Sequence, residues 1–189
     1  MYLLRDRIVE AASNEIMRRG LRFTMGDLAK RLGMSTKTLY GYFPSKDVLI
    51  ATILHEAIVE LQEKEKDIMG NPDLTTLDKL KQCLILIPTD FQFIGLNLIT
   101  ELQRYYPDQW KTLDQFLNKQ WGNITELFHE GINQGWLRPF NTKIFIDLYV
   151  GGFYRLIEDS AANKSSMTLQ EGLREMGEIL LAGIIKREA

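Results

Sequence analysis

Thr24-Met-Gly-Asp-Leu-Ala-Lys-Arg-Leu-Gly-Met-Ser-Thr-Lys-Thr-Leu-Tyr-Gly-Tyr-Phe-Pro-Ser-Lys46 is the stretch that decides how this chain of 189 residues is read. Met25, Leu28, Ala29 and Leu32 fall at i, i+3, i+4 and i+7, one face of an α-helix, with Thr24 placed to cap it. Gly33 follows the last periodic residue and is free to take the left-handed conformation that ends a helix. Ser35 then caps a second short helix, Thr36 to Phe43, in which Leu39 and Phe43 face inward and Pro44 prevents continuation. What is left outward is Thr36, Lys37, Thr38, Tyr40 and Tyr42, a surface of hydroxyls and one cation.

Two short helices joined by a glycine turn form a helix-turn-helix. An outward face of that composition suits the major groove of duplex DNA, where base-edge donors and acceptors are exposed. Upstream, Leu4, Ile8, Ala12 and Ile16 repeat at helical spacing and Gly20 closes that helix. The first fifty residues, and Thr38-Leu-Tyr-Gly-Tyr-Phe-Pro-Ser-Lys-Asp47 most specifically, resemble the DNA-binding domain of TetR-family transcriptional regulators.

The resemblance implies an all-α protein. Residues 1–46 would form a three-helix DNA-binding domain, and residues 47–189 a larger helical domain for effector binding and dimerisation. Tyr42 and Lys46 match positions where the family usually contacts phosphate. Thr24 would add a hydroxyl and a helix N-terminus, and Ser35, Thr36, Lys37, Thr38 and Tyr40 complete the expected DNA face. Lys37 is the side chain suited to guanine O6/N7, while the threonine methyls and the Tyr40 ring suit a thymine methyl. Gly26 and Gly41 depart from the pattern, since family members often carry a long or aromatic side chain there. Each costs roughly 1 kcal/mol of helix propensity against alanine, so specificity should lean on few side chains and on DNA shape.

Net charge is −2, but it is unevenly spread. Residues 1–50 hold nine Lys/Arg and five acids, a net of +4, whereas the remainder holds fourteen basic and twenty acidic residues, a net of −6. That asymmetry orients a protein approaching a polyanion. No apolar run approaches the ~20 residues of a membrane span. The early charges at Arg5, Asp6 and Arg7 argue against a signal peptide. One cysteine, Cys83, fits a reducing cytoplasm. His55 and His129 are isolated, and no metal-ligand cluster, phosphate loop or nucleophile elbow is present, so no catalytic, metal or cofactor site is expected.

The rest of the chain reads as helices over about 45–69, 75–87, 90–105, 107–135, 142–162 and 168–186. The last two carry apolar residues on more than one face and must bury more than one face. Phe145 and Gly152 on the first, with Leu169, Leu173, Met176, Leu180 and Ile184 on the second, are the expected seam of a four-helix homodimer interface. An entirely internal helical hairpin is the alternative. Residues 91–154 are rich in aromatics, and Phe93, Trp110, Trp121, Phe128, Tyr149 and Phe153 are candidates to line an effector pocket, although aromatics at helical spacing are more often plain core.

The expected function is therefore that of a dimeric repressor on a palindromic operator, released by a small, largely apolar effector. The competing expectations are a helix-turn-helix protein controlled by a protein partner, and an enzyme or carrier with an incidental helix-turn-helix.

Overall fold

The computed structural model describes residues 3–89, 97–161 and 167–186. Ten α-helices are described: α1 (Leu4–Arg19), α2 (Met25–Arg31), α3 (Thr36–Tyr42), α4 (Lys46–Gly70), α5 (Thr76–Leu84), α6 (Asn97–Tyr105), α7 (Pro107–Lys119), α8 (Gly122–Asn133), α9 (Thr142–Ala161) and α10 (Leu169–Ala182). A 3-10 turn, Gly20–Arg22, joins α1 to α2. Among the described residues there is no strand, only an isolated bridge between Leu137 and Ile185. No described helix is long and apolar enough to cross a membrane.

The punctuation that shaped the sequence reading is visible in the backbone. Thr24, Ser35 and Ser45 cap α2, α3 and α4 by accepting from Asp27, Thr38 and Val48 N–H. Gly33 has φ +66°, and the N–H groups of Gly33 and Met34 close back on Lys30 and Ala29 carbonyls, finishing α2.

Two apolar clusters form. The first takes Ile8, Ala12 and Ile16 from α1, Leu28 from α2, Leu39 and Phe43 at α3, and Leu49, Ile50 and Ile53 from the start of α4. Leu102 of α6 and Tyr106 join it. The expected domain division at 46/47 thus marks the start of α4 but not a division of the core. The first turns of α4 share a face with α1, so the N-terminal unit is packed through residue 53 at least. The second cluster gathers α5, α8, α9 and α10 around Leu80, Leu127 and Phe128.

Three expectations need revision. The helix read as running from Pro107 to Gly135 is two helices, interrupted at Gln120 and Trp121, whose backbone is non-helical (φ −95°, ψ 53° and φ −112°, ψ 8°). The Trp121 indole N–H donates to the Leu117 carbonyl at 2.7 Å, and the apolar period carries across the break, which is why pattern alone ran the two together. The helix expected over 75–87 stops at Leu84, and of 90–105 only 97–105 lies within the described residues. Most of the expected dimer seam faces inward: Phe145, Leu169, Leu173 and Ile184 are buried within the chain, while Gly152, Met176 and Leu180 are half-buried. Met176 packs so closely on Gly152 that a Cβ there would lie 2.8 Å from its sulfur. The apolar residues that α9 and α10 leave outside are Ile144, Leu148 and Ile179, at 52, 58 and 69% exposure.

Candidate nucleic-acid interface and internal cavity

α3 is anchored by its two inward residues, Leu39 and Phe43, which are essentially solvent-free. Everything else on it is exposed: Thr36, Lys37, Thr38, Tyr40, Gly41 and Tyr42, preceded by Ser35. Ser35 and Thr38 share a hydroxyl hydrogen bond of 2.8 Å while Ser35 caps the helix, so Thr36, Lys37, Tyr40 and Tyr42 are the side chains left for a ligand. Thr24 is exposed but engaged in a capping box with Asp27, whose carboxyl is held below its usual range by hydrogen bonds from the Thr24 hydroxyl and backbone N–H. The eight expected residues therefore do not form one uniform surface.

Lys46 differs most from expectation. Its ammonium turns inward, donating to the carbonyls of Leu21 and Phe23 and lying 4.2 Å from the centroid of the Phe23 ring. Burial pushes its pKa down. In this position it clamps the turn that precedes α2.

The formal +4 of the first fifty residues is also largely spent internally. Glu15, buried on α1, accepts Arg31 of α2 and pairs with Arg18 and Arg19 at 3.3 and 3.6 Å. Arg5 pairs with Glu56, and Arg22 with Glu101. Among the described residues, Arg7, Lys30 and Lys37 are the exposed cations of this segment without an ion pair.

The turn from Gly20 to Phe23 is held from the far side of the sequence. Glu101, on α6, accepts the Leu21 N–H at 2.7 Å and pairs with Arg22 at 3.2 Å. Gly20 sits at φ +68°, ψ −159°, a conformation left to glycine. A Cβ there would lie 2.4 Å from the Glu101 Oε2. The Glu101 carboxylate thus ties α6 to the turn that precedes α2.

Beside that turn begins a cavity of about 240 Å³. Its wall draws on both clusters, from Ile16, Leu21 and Ile50 of the first to Leu84, Phe153 and Leu173 of the second. Of the six aromatics expected to line a pocket, Trp121, Tyr149 and Phe153 do so. Phe128 is core, packed edge-on against Phe140 and Phe145 with centroids 5.1 and 4.7 Å apart. Trp110 packs edge-on against Tyr154 outside the wall, and Phe93 lies outside the described residues. The wall is mainly aliphatic, and two of its members, Leu169 and Leu173, had been assigned to the dimer seam. The signal that could have found it is the α4 stripe Ile50, Leu54, Ile58, Leu61 and Glu65, at successive steps of three or four. Tyr149 spends its hydroxyl on the Leu84 carbonyl, and burial raises its pKa. Cys83 also lines the cavity, its thiol pushed up to about 12 by burial. Among the described residues no cluster of His, Cys, Asp or Glu could hold a metal ion.

Comparison with known proteins agrees with this geometry. Residues 8–53 match the family model described as bacterial regulatory proteins, tetR family. A Bacillus subtilis (strain 168) protein named as the uncharacterized HTH-type transcriptional regulator YvaF is 34% identical over 182 residues, covering 96% of both chains. A TetR/AcrR-family regulator from Thermobifida fusca superposes with a TM-score of 0.68 at 18% identity, over 98% of this chain and 99% of its own. A transcriptional regulator from Saccharomonospora viridis, solved in complex with choline, superposes with a TM-score of 0.71 at 17% identity, over 97% and 98%. The chain belongs to the TetR family and is a DNA-binding transcriptional regulator rather than an enzyme.

Proposed function

We propose that two copies of this chain bind a palindromic operator as a repressor, and that a small, largely apolar molecule in the cavity releases them. The observation that carries this reading is the position of the cavity. Ile16 and Leu21 of its wall belong to the N-terminal core, and α4, which follows α3 in the chain, lines it from Ile50 to Glu65. A ligand that fits the cavity in only one spacing of these helices shifts the population toward that spacing. A transcriptional regulator of the same fold, solved in complex with choline, supports a small-molecule ligand for this chain.

On the DNA, Thr36, Lys37 and Tyr40 read bases and Tyr42 meets the backbone, while Thr24, Ser35 and Thr38 hold the first turns of α2 and α3. Lys46 holds the turn in place and does not reach out. Dimerisation uses the outward stripe of α9, Ile144, Leu148 and Gly151, together with Ile179 of α10. An apolar stripe on two packed helices is the kind of surface that an isologous interface covers.

Selection of bound duplexes from a random pool tests the reading. A palindrome with two half-sites is the expected result. Enrichment of a single half-site, or binding only when another protein is added, would replace it with control by a protein partner.

A further inference from the structure

The cavity has one charged side chain among its described lining residues, the carboxylate of Glu65. Glu65 ends the α4 stripe that begins at Ile50, so the wall follows the helix for about 22 Å at 1.5 Å per residue. At the opposite end the wall is Ile16, Leu21 and Leu102, all apolar. Of the other polar liners, Tyr149 and Trp121 have committed their donors to backbone carbonyls. Cys83 adjoins Glu65, and its raised pKa keeps it neutral. Gln120 is uncharged. No described lysine, arginine or histidine reaches the cavity.

From this arrangement we propose the chemical class of the effector: a small aliphatic molecule with a single cationic amine head, the head against Glu65 and the tail directed toward Leu21. The inference rests on the effector reading above and deepens it. An anionic head would meet a carboxylate and no compensating cation, and a second polar group along the tail would lie unpaired against aliphatic side chains. The half-buried Glu65 carboxylate, set beside an apolar cavity, is partly desolvated, which raises its pKa against the opposing hydrogen bond from Asn123. An ammonium offsets that desolvation by supplying the missing counter-charge. At about 240 Å³, the cavity lies just below the common range of ligand sites, ~300–1,000 Å³, which favours short chains.

Calorimetric titration of the full chain, free of DNA, with octylammonium, octanol and octanoate tests this. Octylammonium should bind about tenfold more tightly than octanol, the ratio one charge-assisted pair supplies, with octanoate weakest. Glu65→Gln should bring octylammonium to the level of octanol, and its thermal melt checks that it folds. Ile58→Phe, which intrudes on the middle of the wall, should weaken all three. Equal or tighter binding of octanol or octanoate, no binding of any of them, or a preference that survives in Glu65→Gln overturns the assignment. So does indifference to Ile58→Phe. The same compounds added to the protein–operator complex separate the two readings. Selective octylammonium binding without operator release supports the ligand class and refutes the effector role. Release by octanoate supports the effector role and refutes the ligand class.

Discussion

Gly20→Ala is the substitution that most directly tests how the N-terminal unit is tied to the rest of the molecule. The backbone at Gly20, φ +68° and ψ −159°, is one that a side chain disfavours by about 1–3 kcal/mol. The added Cβ would also stand 2.4 Å from Glu101 Oε2 and 3.2 Å from its Cδ, so the carboxylate must move. Moving it breaks the 2.7 Å bond from the Leu21 N–H, and a hydrogen bond to a charged group is worth about 1.5–3 kcal/mol. The two effects overlap, because relaxing the turn relieves part of the contact, so a total of about 2–4 kcal/mol is expected. At ~2–4 °C per kcal/mol for a chain of this size, melting followed by far-UV circular dichroism should fall by roughly 4–16 °C. Gly33→Ala is the matched control. Its φ of +66° is equally left-handed, but nothing lies within 4 Å of the added Cβ, so only backbone strain of about 1–2 kcal/mol applies. Introducing Gly20→Ala into Glu101→Ala should cost clearly less than introducing it into the native chain. A Gly20→Ala protein that melts like Gly33→Ala, or one whose loss is unchanged in the Glu101→Ala background, would refute the contact as the cause.

Lys37→Ala should cost about 1–3 kcal/mol of operator binding and relax preference at one base pair per half-site; uniform weakening over all sequences in a binding-site selection would make Lys37 a phosphate contact only. Lys46→Ala should lower the melting temperature by leaving the Leu21 and Phe23 carbonyls without their donor, while the salt dependence of DNA binding stays unchanged; a slope flatter by about one unit would instead show a phosphate contact. Leu148→Glu, on the outward stripe of α9, should give monomers in sedimentation, whereas Leu173→Glu buries a charge in the cavity wall and should impair folding; a dimer that survives Leu148→Glu places the interface elsewhere. Octylammonium affinity should fall as pH drops through the Glu65 range, and should begin to fall at a higher pH than for an ordinary glutamate because burial raises that pKa. Cys83 across from it stays neutral and Asn123 carries no charge, so a pH-independent affinity in calorimetry would remove Glu65 from the site.

The helix-turn-helix was legible because everything that defines it is local. Thr24, Ser35 and Ser45 cap through residues three positions on, Gly33 turns the chain, and Leu28, Leu39 and Phe43 identify their inner faces by spacing alone. Such features act over one or two turns of chain, where sequence distance and spatial distance are nearly the same. The direction of charged side chains was not legible. Lys46 was expected at a phosphate, yet Leu21 and Phe23, more than twenty residues away, present carbonyls to it. The same holds for Arg22 and the Leu21 N–H, which meet Glu101 about eighty residues later.

What the sequence by itself determined is that this chain is helical, where most helices begin and end, and that its N-terminal part holds a helix-turn-helix whose second helix exposes a hydroxyl-rich face. Which of two apolar faces on α9 and α10 turns inward was decided only by tertiary packing, and so was the split between α7 and α8. So too was the choice of an aliphatic stripe ending in Glu65, together with Trp121, Tyr149 and Phe153, as the cavity wall. The reason is that periodicity tells which residues of a helix share a face, whereas the neighbour that face meets depends on helices distant in sequence.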